Sequence, residues 1–83
     1  MKKLLVLVNN QILISEIEEV GADIGEPDCK LINPYLLNVD EETLSPWLVS
    51  VTMQNTFMIQ SDKIITITDP KPTLLEKYET LTK

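Results

Sequence analysis

Apolar residues alternate with polar ones at a period of two along much of this chain, and that pattern predicts strands. Leu4–Val8 is a short apolar run. Asn9-Asn10 follows, a pair that tolerates positive φ and suits a two-residue hairpin turn. The return strand is expected over Gln11–Val20, with its apolar period slipping near Ser15-Glu16, which predicts a bulge or bend there. Gly21–Pro27 holds both glycines and a proline and reads as a loop. A third strand is expected over Asp28–Leu37, with Pro34 at an edge or bulge because it has no N–H to donate.

Asn38–Pro46 is an acidic turn region carrying Asp40-Glu41-Glu42. Beyond it Trp47, Val49, Val51, Met53, Phe57 and Ile59 hold odd positions, and Ser50, Thr52, Gln54, Thr56 and Gln60 hold even ones. The phase survives the break at Asn55, which favours one long bent strand over a hairpin at Gln54-Asn55. Ser61-Asp62 then turns the chain into a β-branched strand, Lys63–Thr68. Asp69–Pro72 is stiff and extended. Thr73 and Glu76 stand at the spacing of a capping box, and Leu74, Tyr78 and Leu81 share a helical face. The pattern thus predicts a single mainly β domain over residues 1–83: a barrel of five strongly bent antiparallel strands (3–68), a proline linker (69–72) and a short C-terminal helix (73–81).

Composition sharpens this. A domain of 83 residues buries too small a share of its surface to be comfortable alone. Cys29 is the only cysteine and histidine is absent, so neither an internal disulfide nor a good zinc shell is available, and no metal or cofactor is expected. Oligomerisation is the remaining source of burial. The lone cysteine fits a reducing compartment. No apolar run approaches the roughly 20 residues of a membrane span. The opening Met1–Val8 lacks the long core and cleavage site of a signal peptide.

The net charge is −6 and all seven cations are lysine. Without arginine, tight duplex binding through bidentate phosphate contacts is disfavoured. Glu16, Glu18, Glu19 and Asp40–Glu42 match no calcium-loop spacing and face no acid–base partner. Cys29 has no histidine to activate it. No enzyme chemistry is expected.

Two motifs decide between small barrels. Val8-Asn9-Asn10-Gln11 followed by a long bent strand, with Ile32-Asn33-Pro34-Tyr35-Leu36 further on, resembles the first motif of Sm proteins. Ile59-Gln60-Ser61-Asp62-Lys63-Ile64-Ile65-Thr66-Ile67 follows their second motif, with Gln60 and Ser61 where arginine and glycine are usual. The chain resembles most the small Sm-like (LSm) proteins of marine metagenomes thought to be of cyanophage origin. The resemblance covers residues 3–68 and implies an SH3-like (Sm-like) barrel that closes a homo-oligomeric ring of five to seven subunits, with a pentamer favoured. It further implies a cytoplasmic location, in a bacterial host if the source is a phage.

The edges expected to pair between subunits carry Trp47, Val49, Val51, Phe57 and Ile59 on one side and Ile65 and Ile67 on the other. The resemblance places Asn33, Tyr35, Gln60, Ser61, Asp62 and Lys63 around the ring pore. There amides would meet base edges, Tyr35 would stack and Lys63 would meet phosphate. The resemblance favours the first of two functions, and the absent arginine and net charge favour the second, which is the alternative. The first is a scaffold that binds single-stranded RNA weakly through these loops. The second is a structural or adaptor ring for a protein partner, in phage assembly or host takeover, without RNA affinity. In neither is the chain an enzyme.

Overall fold

The structure, a computed structural model, describes residues 1–82. It is mainly β: six antiparallel strands in one sheet, followed by a short helix. The strands are β1 (Lys2–Leu7), β2 (Ile12–Glu19), β3 (Cys29–Asn38), β4 (Thr43–Pro46), β5 (Thr56–Ile59) and β6 (Ile64–Thr68). A 3-10 turn, Ser61–Lys63, joins β5 to β6, and the helix α1 spans Pro72–Leu81. The strand order is β4-β3-β2-β1-β6, with β5 also pairing β3. Among the described residues no pairing joins β6 back to β4 or β5, so the sheet is open.

β1 and β2 form the first hairpin, in register from Lys2↔Glu16 to Val6↔Ile12. Its connection has three residues rather than two. Asn10 donates its N–H to the Leu7 carbonyl and takes φ 69°, the left-handed position that asparagine tolerates. The irregularity expected near Ser15 is present. The pairing of β2 with β3 slips between Ile14↔Tyr35 and Glu16↔Ile32. The extra residue lies on β3, at Asn33-Pro34, where Asn33 has φ 53°. Pro34 therefore sits at a bulge, where its missing N–H costs no ladder bond.

The single long strand expected over Trp47–Ile59 is not formed. The reason lies in β3, whose far edge is already fully used. Its first half pairs β5 (Cys29↔Ile59 to Ile32↔Thr56) and its second half pairs β4 (Tyr35↔Pro46 to Asn38↔Thr43). Residues 48–54 are left over between the two half-edges, while Trp47 and Asn55 still bond Pro34 and Asn33 of β3. They form a compact loop, and a sixth strand, β4, arises within what reads as an acidic turn.

The helix also starts two residues earlier than its capping box suggests, with Lys71 rather than Thr73 as N-cap. Pro72 is its first residue and Lys71 its N-cap, and no side chain caps it. Proline's fixed φ makes it a ready first helical residue, and this outweighs the Thr73/Glu76 pairing.

One face of the sheet carries the core: Leu5, Leu7, Leu13 and Leu31, with Ile17, Leu36, Trp47, Ile59 and Ile64 packed against them. The helix docks on the other face, the side of Lys2, Leu4, Ile14 and Glu16. Tyr78 is its buried anchor, 1% exposed, and Lys2 bonds Glu79 at 2.9 Å. Among the described residues no helix is long and apolar enough to cross a membrane.

Candidate functional site

The bulge and the turns divide the expected ligand residues into two groups. The first gathers at the end of the sheet where β2, β3, β5 and β6 exchange chain. Cys29 faces Ile59 in the ladder, which brings Gln60 and Ser61 level with the loop before β3. Asp28 clamps that junction. Its Oδ1 accepts the Ser61 N–H at 2.7 Å and its Oδ2 accepts the Ser61 hydroxyl at 2.7 Å. These two bonds hold the Asp28 carboxyl below its usual value. Gln60 donates from Nε2 to the Gly25 carbonyl at 2.6 Å. Gly25 has φ 88°, a conformation suited to glycine, and so turns that carbonyl towards Gln60.

The result is a shallow polar hollow of about 200 Å³ lined by Gly25, Glu26, Asp28, Gln60, Ser61 and Asp62. Three of the six carry carboxylates. Asp62 and Lys63 are exposed on the turn, and the Lys63 carbonyl accepts the Val8 N–H at 2.9 Å. Lys63 also edges a mainly apolar groove of about 400 Å³ whose walls include Leu7, Val8, Trp47, Met58 and Ile59. In it the Trp47 indole N–H points to Gln11 Oε1 at 3.3 Å.

The second group is elsewhere. Asn33 lies at the β3 bulge, four residues beyond Cys29, or roughly 13 Å along a strand. Its backbone is fully engaged: the N–H goes to the Asn55 carbonyl at 2.7 Å, and the carbonyl accepts from the Tyr78 hydroxyl at 2.9 Å. Tyr35 packs edge-on against Tyr78 with ring centroids 5.7 Å apart, and its hydroxyl reaches the Leu81 carbonyl at 3.5 Å. Both residues serve the seat of the helix. The six residues expected around one opening are thus brought together only as Gln60, Ser61, Asp62 and Lys63. Asp28 and Gly25 complete that cluster. Sequence reading missed both as site residues, and the Gly-Glu-Pro-Asp run was their only signal.

Cys29 is buried directly behind Asp28. Burial, then the neighbouring charges of Asp28 and Glu19, push its thiol up, which lowers its thiolate fraction. No group of three metal-binding side chains occurs among the described residues.

The residues expected at subunit edges also divide. Trp47 and Ile59 pack on the core, and Phe57 meets Trp47 edge-on at 5.6 Å. Val49, Val51, Ile65 and Ile67 are exposed. The whole chain, residues 1–83, matches one family profile. It belongs to DUF6561, a family of unknown function. No curated protein matches it.

Proposed function

We propose that this chain is a non-catalytic, Sm-like module that closes a ring with copies of itself and serves as a structural or adaptor scaffold for a protein partner. The observation that carries the reading is the pair of unpaired edges on an open sheet. Among the described residues β6 pairs only β1, and β4 and β5 pair only β3. Such edges, lined by apolar side chains, invite pairing with another chain, and a closed ring gives every subunit a partner on each side. Pairing the β6 edge of one subunit with the β4/β5 edge of the next is head-to-tail, and a ring results when the rotation closes. The motif resemblance at Ile32–Leu36 and Ile59–Ile67 supports the same reading, because both stretches lie at the strands and turn that frame those edges.

The junction favours a protein partner over RNA. Glu26, Asp28 and Asp62 line it, and like-charge repulsion would oppose a phosphate backbone. Ser61 is spent on Asp28, the Tyr35 hydroxyl reaches the helix, and the Asn33 backbone is engaged by Asn55 and Tyr78. Lys63 remains as the exposed cation for phosphate at that end.

Light scattering and a titration with oligo-U and oligo-A at two salt concentrations test this. The expected result is a mass of five to seven subunits with no saturable, salt-sensitive RNA binding. A monomer at micromolar concentration would overturn the ring. RNA binding that disappears in Lys63→Glu with Asn33→Ala would overturn the protein-scaffold role and assign the loops to RNA.

A further inference from the structure

The loop between β4 and β5 is built, apolar and uncharged. Trp47 and Phe57 anchor its two ends against the core. Within it, the N–H groups of Val51 and Thr52 both donate to the Leu48 carbonyl at 3.1 Å, and Gln54 bonds Thr52 Oγ1 and the Thr56 carbonyl. Leu48 takes φ 60°, a left-handed conformation rare for leucine. So ordered a turn presents its side chains in fixed places. They are Val49 (63% exposed), Val51 (77%) and Met53 (fully exposed). From Thr43 to Ser61 no residue is charged, the longest such run in a chain of net charge −6. Contiguous exposed apolar surface of this kind marks a contact site.

Charge selects the occupant. Two copies of an acidic chain repel where charged surfaces meet, and this loop is where they do not. The matching uncharged surface is β6, Ile64–Thr68. On β6, Ile67 stands opposite Leu5, which is fully buried, yet Ile67 is 49% exposed because no strand follows it on that side. The half-edges of β4 and β5 are not equivalent as partners for β6. Pro46 removes an N–H from β4, whereas all four residues of β5 keep theirs. Every pairing in the sheet is antiparallel. An antiparallel β6 on β5 points its C-terminal end back past Thr56, towards the loop that ends at Asn55. A four-residue ladder alone is far below the roughly 1,200 Å² of a stable interface, and the loop is the apolar area adjoining it.

We propose that the loop 47–55 is an intersubunit strap, folding over the C-terminal end of β6 of the next copy so that Val51 and Met53 cover Ile67. The proposal rests on the ring reading above and names the surface that holds the ring together.

Two chains test it, both in a Cys29→Ala background, one carrying Met53→Cys and the other Ile67→Cys. Mixed and treated with oxidised glutathione, they are expected to give a disulfide-linked heterodimer, identified by mass. Separately, Val51→Ser with Met53→Ser should keep the wild-type circular dichroism, because both side chains are exposed. It should weaken subunit association at least tenfold by sedimentation. Only homodimers in the mixture, or unchanged association of the serine variant, would overturn the strap while a ring-sized wild-type mass leaves ring assembly standing. A monomeric wild-type protein would overturn both.

Discussion

Tyr78 carries more of the architecture than any other single side chain. Its hydroxyl accepts the Glu16 N–H at 3.0 Å and lies 2.9 and 3.1 Å from the carbonyls of Asn33 and Ile32. Those backbone groups are left over because the bulge takes Asn33-Pro34 out of register. Buried polar groups must be paired, so one phenol repairs what the bulge breaks and fixes the helix at the same time. Burial pushes the phenol above its ordinary value of 10.0, which keeps the donated proton in place at neutral pH. Tyr78→Phe preserves the packing and strands the Glu16 N–H and the Asn33 carbonyl, while the Ile32 carbonyl keeps the Ser15 hydroxyl at 3.2 Å; the cost is about 1–3 kcal/mol. Urea denaturation should show that loss. Tyr35→Phe is the control: its hydroxyl makes only a 3.5 Å contact, and stability should change little. A helix-face pattern of Leu74, Tyr78 and Leu81 points to burial but says nothing of the hydroxyl. Its role depends on a bulge formed 45 residues earlier in the chain.

At the scale of elements, local signals succeed where they need no partner. β1, β2, β3, β6 and α1 lie within one or two residues of their expected bounds, because hydrophobic period, glycine, asparagine and proline act locally. The Trp47–Ile59 stretch has as clear an alternation as any of them and still fails as one strand, since β3 has room for only its two ends. The helix start shows a different competition. Lys71 is the N-cap with φ −59° and ψ 148°, no side chain caps it, and a cation there opposes the helix dipole. Lys71→Ser places a hydroxyl on free N–H groups and removes that charge. The expected gain is about 1 kcal/mol, read from the midpoint of a urea titration.

The molecule as a whole is a sheet with both edges open. Ile67 faces the core side and remains half exposed. Val49, Val51 and Met53 stand out from the opposite edge. A fold that leaves its own core side uncovered at one edge leaves apolar surface there for a partner to cover. If ring assembly supplies that cover, folding is linked to protein concentration by mass action. The melting temperature should then rise steadily across about a hundredfold range of concentration, and the rise should shrink in Val51→Ser with Met53→Ser. A melting temperature independent of concentration would set association aside as a source of stability.

The chain alone determined the class and most elements of this protein. Alternation, turn residues and a proline-led helix are read within a few residues of one another and act before any long-range contact. It also determined the chemistry that is missing, since no folding supplies histidine or arginine to a chain that has neither. The tertiary structure decided which residues meet. It sent Asn33 and Tyr35 to the helix seat, gave Gln60 and Ser61 to Gly25 and Asp28, and turned an apparent strand into a protruding loop. Each outcome depends on how many residues one edge of β3 can pair and where its bulge falls, which are properties of two strands in contact rather than of either read by itself.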